Sequence, residues 1–367
     1  MKIAIIKEPD SAEARVAGTP DTVKKLIGRG FTVCVEAGAG IASAIPDAEF
    51  EAAGASVAKT AQAALKEANL VLAVRRPDGL IKHLQAGTVV VCQLDPYGNE
   101  QALQAFAEAG VMTCAMELMP RVTRAQVMDV LSSQANLAGY QAVIEASHTY
   151  GRALPMMMTA AGTVPAAKVF VMGAGVAGLQ AIATARRMGA VVTATDVRPA
   201  AKEQVASLGA KFIAVEDEEF KAAETSGGYA KEMSKEYQAK QAELVAAHIA
   251  KQDIVITTAL IPGRPAPKLI STSMVEAMRP GSVIVDMAVE RGGNCELAKA
   301  GETVTHQGVQ IIGKLNLAGE IAATASQLYA KNLAAFVDIL VTNEGDALSV
   351  SLADELVTAV TVTREGA

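Results

Sequence analysis

Three glycines and one carboxylate carry the clearest chemistry in this chain. Residues 168–196 read KVFVMGAGVAGLQAIATARRMGAVVTATD, in which a β-branched and aromatic run from Lys168 to Met172 enters Gly173, Gly175 and Gly178. Such a turn cradles a pyrophosphate. Gly173 allows the tight strand-to-helix turn, Gly175 lets the backbone approach the phosphates, and Gly178 lets helix and strand pack closely. The anion then rests on the helix N-terminus, whose first N–H groups have no partner within the helix. Gly189 closes the helical run, and a second apolar strand delivers Asp196, eighteen residues beyond Gly178. A carboxylate there accepts hydrogen bonds from the adenosine ribose hydroxyls and repels a 2′-phosphate, which predicts NAD(H) rather than NADP(H). Arg198, two residues on, is the one nearby group that could receive a 2′-phosphate. A glycine triplet alone would serve ordinary turns; the order strand, triplet, helix, glycine, strand, acid is what specifies a nucleotide.

No other spacing points to chemistry so directly. His83, His148, His248 and His306 are scattered without ligand spacing, so no metal site is expected. Cys34, Cys92, Cys114 and Cys295 form no CxxC, and three of them lie in apolar strand-like runs, as reduced thiols of a cytosolic protein do. Those three read as small buried hydrophobes, with Cys295 left open. The balance of 33 basic against 39 acidic residues, −6 overall, offers no basic face to nucleic acid. The first residues, MKIAIIKEPD, lack the apolar region and small-residue site of a secretory signal. Mean hydropathy is +0.26, yet no stretch of about 18 uninterrupted apolar residues occurs, as a membrane span would need. The expectation is a cytoplasmic chain that does not itself cross a membrane.

The elements that must position these groups follow from periodicity. At 367 residues the chain exceeds what one core normally supports, so two domains are expected. Strands at Lys2–Ile6, Phe31–Glu36, Leu70–Val74, Thr88–Leu94 and Val111–Met116 alternate with helical segments near Thr19-Pro20 and Ala61–Lys66. That alternation means a parallel sheet with helices on its faces. A long helix, roughly Thr123 to Tyr150, leads to a second α/β unit with strands near 168, 191, 211, 254, 283 and 309. Ala322 to Leu340 reads as helix again, and the tail SVSLADELVTAVTVTREG as an added pair of strands. The predicted architecture is α/β: two Rossmann-like, doubly wound parallel-sheet domains. Residues 1–126 with about 318–367 form a discontinuous first domain, residues 127–317 form the NAD(H)-binding domain, and the cleft between them is the natural ligand site. The charged segment near 217–240 is longer than a crossover needs. Glu232 to Lys240 reads as a solvated helix, whereas Ser226-Gly227-Gly228-Tyr229 reads as the hinge and aromatic tip of a mobile lid. Thr123-Arg124-Ala125-Gln126 fits a helix capping box, and Gln126, Asp129, Ser132 and Ser133 would make a polar stripe on one helical face. Met156, Met157 and Met158 are expected to be packing residues.

The segment Glu117 to Tyr140, ELMPRVTRAQVMDVLSSQANLAGY, resembles the signature of the NAD(H)-binding component of proton-translocating NAD(P) transhydrogenases. So do KEPDSAEARVAGTP (7–20), GGYAKEM (227–233), TTALIPGRPAP (257–267) and VDMAVERGGN (285–294), in order along essentially the whole chain. The first and the last two of these are shared with alanine dehydrogenases, the family's relatives; the arginine-rich segment and GGYAKEM look specific to transhydrogenases. The resemblance implies a homodimer of two-domain chains whose NAD(H) passes hydride directly to NADP(H) on a partner domain, coupled through a membrane proton-channel domain to proton movement. It also implies a place on the cytoplasmic face of the inner membrane, held through that partner. Carried over by motif, Arg121, Gln126, Asp129 and Ser132 would surround the nicotinamide. Gly173, Gly175, Val176, Gly178, Asp196, Val197 and Arg198 would hold pyrophosphate and adenosine. Gly228, Tyr229 and Met233 would form the lid, with Gln241 and Leu260 also lining the nucleotide.

Two chemistries compete within that resemblance. Reductive amination of a keto acid needs groups that clamp a carboxylate, polarise a carbonyl and move protons, whereas hydride transfer between two nicotinamides needs neither acid nor base. Alanine dehydrogenases are expected to carry a lysine in the strand matching Leu70–Val74 and a histidine after the one matching Thr88–Leu94; here those places hold Ala73 and Asp95. Arg15, the carboxylate clamp of the relatives, and the acid Glu290 remain, and read as a remnant with structural duties. Catalysis would then come from holding the two nicotinamides within about 3–3.5 Å and excluding water. An alanine dehydrogenase-like enzyme is the alternative, and a catalytically silent NAD-binding sensor ranks last.

Overall fold

A computed structural model describes residues 1–221, 233–261, 263–344 and 347–364. In chain order the first elements are β1 (Lys2–Ile5), α1 (Pro20–Gly28), β2 (Thr32–Glu36), α2 (Asp47–Ala52), β3 (Ser56–Ala58), α3 (Ala61–Leu65), β4 (Leu70–Arg75), β5 (Val89–Gln93), α4 (Glu100–Glu108) and β6 (Met112–Ala115). There follow α5 (Val130–Tyr150), β7 (Met157–Thr159), β8 (Gly162–Val164), β9 (Lys168–Met172), α6 (Val176–Arg187), β10 (Val191–Thr195), α7 (Ala201–Ser207), β11 (Lys211–Phe212), α8 (Glu218–Lys221), α9 (Lys235–Ile249) and β12 (Ile254–Thr257). The remainder is α10 (Thr272–Glu276), β13 (Val283–Asp286), β14 (Thr303–His306), β15 (Val309–Ile312), α11 (Ala322–Leu340), β16 (Val341–Glu344), β17 (Ala347–Val350), α12 (Glu355–Val360) and β18 (Thr361–Thr363). The chain divides into two compact units, Met1–Gln134 with Ala318–Ala367, and Ala135–Leu317.

The first unit is built on a seven-stranded sheet in the order β18-β6-β5-β4-β1-β2-β3, parallel except for β18. Its central strands are continuous apolar runs: Leu70 to Val74 are all essentially buried, as strands covered on both faces must be. Alternate residues feed two cores. Ile3, Ile5, Leu70, Leu72 and Val74 point to one, and Ala4, Ile6, Val71 and Ala73 to the other. The first core is completed by Tyr329, Leu333, Phe336, Val337 and Leu340 of α11, which is why the segment after residue 318 belongs to this unit. Thr19 starts α1 as foreseen: its hydroxyl accepts from the Thr22 N–H, and the Thr22 hydroxyl accepts from the Thr19 N–H.

The second unit has the sheet order β11-β10-β9-β12-β13-β15-β14, with only β14 antiparallel. Val169 is in register with Val192 on one side and Ile254 on the other. Strand order reverses at β9, so the crevice beyond its carboxyl end is the topological switch point, where α/β sheets bind ligands. Val169, Val171, Ile254 and Ile256 pack with Ala181 and Ile182 of α6; Phe170, Met172 and Val255 pack on the opposite face with Val245 and Ile249 of α9.

Five expectations need correction. The stretch from Thr123 to Tyr150 is two elements, a 3-10 helix over Thr123–Met128 and then α5. Asp129 between them is extended at φ −75° and ψ 91°, and its carboxylate accepts the Ser132 N–H at 2.9 Å, so it caps a new helix. Gln126 and Asp129 therefore do not share a helical face. The capping box is absent: the first residue of the 3-10 helix is preceded by Val122, with no side-chain cap. In the tail, a short helix, α12, separates β17 from β18, and β18 joins the main sheet beside β6. Met156, Met157 and Met158 are 56%, 42% and 80% exposed, because β7 and β8 pair only with each other and no described element covers them.

Candidate functional site

The glycine turn at the end of β9 is stereochemically demanding at two of its three positions. Gly173 has φ +102°, a left-handed conformation that glycine alone adopts without strain, and a Cβ there would lie 2.5 Å from the Thr258 hydroxyl oxygen. At Gly178 a Cβ would stand 1.8 Å from the Gly173 carbonyl oxygen, so this glycine sets how closely α6 sits on the strand. Gly175 differs: its φ is −75° and a Cβ would meet nothing within 4 Å. Among the described residues no contact requires glycine at 175, and the space it leaves lies over the first turn of α6. That helix has no side-chain cap, so its leading N–H groups are available to an anion. Val176 opens the helix partly exposed.

Asp196, at the end of β10, is fastened on all sides. One carboxylate oxygen accepts the Ala174 N–H at 2.7 Å and an Arg198 guanidinium N–H at 3.0 Å; the other accepts the Arg198 backbone N–H at 2.8 Å and its Nε–H at 2.9 Å. The acid thus ties β10 to the glycine turn, and Arg198 is its partner across a largely buried ion pair. A ribose hydroxyl reaching Asp196 would compete with the guanidinium for these lone pairs. Val197, between them, is exposed. Gln241 of α9 uses both ends of its amide, accepting the Val215 N–H at 2.9 Å and donating to the Thr195 hydroxyl at 3.1 Å. Leu260 follows β12 with its side chain exposed. Met233 packs with Phe220 and Tyr237 in a small apolar cluster; Gly228 and Tyr229 lie outside the described residues.

In the first unit, Arg121 and Gln126 are exposed, while Asp129 and Ser132 bond each other at the start of α5. Arg124 is held instead by Asp354 at 2.6 Å and 2.9 Å. Arg15 is 3% exposed. Its guanidinium donates twice to Glu13, at 2.6 Å and 2.7 Å, and once to Gln134 at 2.9 Å. Burial alone would raise the Glu13 carboxyl, but the Arg15 hydrogen bonds and charge, helped by Arg75 at 3.0 Å, hold it at about 2. Beside it sits Glu8, which the sequence reading missed. It accepts the Val74 N–H at 2.7 Å and the Arg75 N–H at 3.1 Å. Burial nevertheless pushes its pKa up to about 7. Burial also raises Glu117, which accepts the Asp95 N–H. Ala73 offers only its carbonyl, to the Tyr329 hydroxyl at 3.0 Å, and Asp95 turns the chain at φ +49°. Glu290 belongs to the second unit, apart from this cluster, where it is exposed and accepts the Asn316 N–H at 3.0 Å.

This is a carboxylate-rich, internally paired cluster around an arginine, without a lysine or histidine among the groups just described. The group in it that titrates near neutrality is Glu8, and both of its oxygens are turned to the backbone N–H groups of Val74 and Arg75.

Comparison with known proteins gives consistent relatives. The family described as alanine dehydrogenase/PNT, N-terminal domain, matches residues 4–138, and alanine dehydrogenase/PNT, C-terminal domain, matches residues 142–367. The chain is 54% identical over 373 residues to a chain of Rhodospirillum rubrum named as the first portion of NAD(P) transhydrogenase subunit alpha, covering 100% of this chain and 97% of the relative. It is similar to the crystal structure of transhydrogenase from Sinorhizobium meliloti, with a TM-score of 0.92 and 62% identity over 100% of this chain and 99% of that one. An L-alanine dehydrogenase structure matches with a TM-score of 0.78 and 25% identity, covering 93% and 90% of the two chains.

Proposed function

The chain belongs to the alanine dehydrogenase/PNT family, and from that premise we propose that it is the NAD(H)-binding component of an NAD(P) transhydrogenase, not an amino-acid dehydrogenase. The observation that carries this choice is the state of Arg15. A keto-acid clamp must turn its donors to the substrate, and this guanidinium is buried with three of its five N–H groups already given to Glu13 and Gln134. Ala73 and Asp95 add no proton donor.

The nucleotide site fits NAD(H). The unobstructed Gly175 and the uncapped start of α6 suit a pyrophosphate, and the acid at 196 suits an adenosine ribose. Bound there, NADH supplies the hydride. The residues of the chain then bind, orient and exclude water. Gly173, Gly178 and Val176 shape the phosphate turn; Asp196, Val197 and Arg198 face the adenosine end; Arg121, Gln126, Asp129 and Ser132 form a polar cradle for the nicotinamide; Gln241 and Leu260 line the nucleotide, and Gly228, Tyr229 and Met233 close over it. Asp129 has its place through Ser132 and the start of α5, which favours a fixed cradle over a solvated stripe.

The acceptor is NADP+ on a partner domain of the same complex, in contact with a membrane proton-channel domain that couples transfer to proton translocation. No helix among the described residues is long and apolar enough to cross a membrane, so attachment to the cytoplasmic face of the inner membrane runs through those partners. The chain acts as a homodimer, for which the uncovered methionine hairpin β7–β8 is the candidate arm. The test is NADH absorbance in two mixtures. With pyruvate and ammonium no oxidation is expected; with the NADP(H)-binding domain of a transhydrogenase and an NADP+ analogue, oxidation is expected. Rapid oxidation in the first mixture would make this an amino-acid dehydrogenase, and silence in both despite NADH binding would favour a sensor.

A further inference from the structure

One buried side-chain amide in the second unit joins both ends of one segment to a turn. Asn294 is 0% exposed. Its Oδ1 accepts the Ala259 N–H at 3.0 Å, and its Nδ2 donates to the carbonyls of Ala259 at 2.9 Å and Pro267 at 2.8 Å. The Ala266 N–H donates to the Arg291 carbonyl at 2.8 Å. Both ends of the segment 259–267 are therefore fastened to one turn, 291–294. That turn is itself fixed. Asp286, also fully buried, accepts the N–H groups of Ala288 at 2.9 Å and Cys295 at 2.8 Å. Gly293 has φ +77°, and a Cβ there would lie 2.8 Å from the Asp286 carboxylate.

Between the fastened ends, Leu260 and Ile261 are 52% and 44% exposed. Adjacent aliphatic side chains facing solvent gain nothing from being held rigidly unless something apolar meets them. The same segment is tied to the first glycine of the nucleotide turn, since the Thr258 hydroxyl donates to the Gly173 carbonyl at 3.0 Å. Only a side-chain amide supplies one acceptor and two donors from a single planar group. An aspartate would set its charge against two carbonyls, and an apolar residue would leave Ala259 and Pro267 unpaired.

We propose that Asn294 is a positioning residue for nucleotide binding, which holds Leu260 and Ile261 as a preformed apolar wall beside the glycine turn. This rests on the reading that Leu260 lines the nucleotide site. The test is an NADH fluorescence titration of the full chain and of Leu260→Ala, Asn294→Asp and Thr258→Val, at about pH 6 and about pH 8.5, with the melting temperature of each recorded without nucleotide. Leu260→Ala is expected to weaken NADH binding about tenfold at both pH values with little change in melting. Asn294→Asp is expected to weaken it by at least about tenfold at the higher pH and to recover in part at the lower, where a buried carboxyl regains its proton and can restore one of the two lost donations. A merely structural asparagine would shift melting without this pH-dependent affinity. Thr258→Val, which removes one hydroxyl, is expected to weaken binding at both pH values. If Leu260→Ala weakens binding while Asn294→Asp and Thr258→Val match the wild type, the positioning role is overturned and the wall stands. If Leu260→Ala binds NADH as the wild type does, the wall reading fails and takes the proposal with it. Should Asn294→Asp not fold, Thr258→Val alone decides, its wild-type affinity overturning the role.

Discussion

Glu8 and Glu13, both bonded to Arg75, should respond to pH in opposite senses. Glu8 titrates at about 7 in the folded chain against a usual 4.5. Its stabilising contribution is present below about 4.5 and is lost as pH rises through 7, because the unfolded chain gives up that proton first. Glu13, held at about 2, stabilises above its usual value and loses that contribution only as pH falls toward 2. Glu8→Gln removes the first titration, so its stability relative to wild type should rise between pH 5 and 8 by up to about 3 kcal/mol. Urea denaturation at several pH values reads this directly, and a parallel pH dependence in both proteins would remove Glu8 from the account. At the nucleotide end, Asp196→Asn keeps one acceptor but loses the charge that Arg198 and a 2′-phosphate would feel. The expected outcome is a preference for NADH over NADPH reduced about tenfold; unchanged selectivity in competing titrations would argue that Arg198, not Asp196, reads the ribose.

The strands were legible because apolar runs such as Leu70–Val74 and Val169–Met172 have few other uses, and the α/β class followed from their alternation with helices. Several short strands escaped, the hairpin β7–β8 and β16 among them. Ser56–Ala58 is only three residues long, and Thr303–His306 is an antiparallel edge whose residues are exposed or half-buried. The break at Asp129 was hidden because an aspartate reads equally as a helix residue or as a cap until its partner is known. Partners far apart in sequence explain the residues that were missed: Glu8 bonds a strand 66 residues away, and Gln134 meets an arginine 119 residues away. The glycine turn was the reverse case, since the closest contact that requires Gly178 lies within the motif. Gly178→Ala would drive a methyl group into the Gly173 carbonyl, which no side-chain rotation relieves. A destabilisation of roughly 2 kcal/mol or more is expected. Thermal melts without nucleotide separate Gly178 from Gly175: Gly175→Ala should melt within a degree or two of wild type, because position 175 has free space around it. A large loss there would contradict that open space.

For the molecule as a whole, the methionine hairpin is the feature least at ease in isolation. A two-stranded ribbon is marginal in water, and this one carries no charge from Ala153 to Ala167. If it is the arm of a homodimer, Met157→Ser with Met158→Ser should shift the chain toward monomer in sedimentation equilibrium while leaving the melting of each unit's core intact; an unchanged mass would move the dimer contact elsewhere. The antiparallel strand β18 has a different consequence. Thr363 bonds Thr113 across 250 residues, and Tyr329 reaches Ala73 across 256. As the chain leaves the ribosome, everything from Ala135 to Leu317 is complete before α11 and β18 exist to cover the first sheet. The inserted unit can therefore fold early and on its own, while its predecessor waits with an exposed strand edge, β6, that a nascent-chain chaperone would be suited to shield.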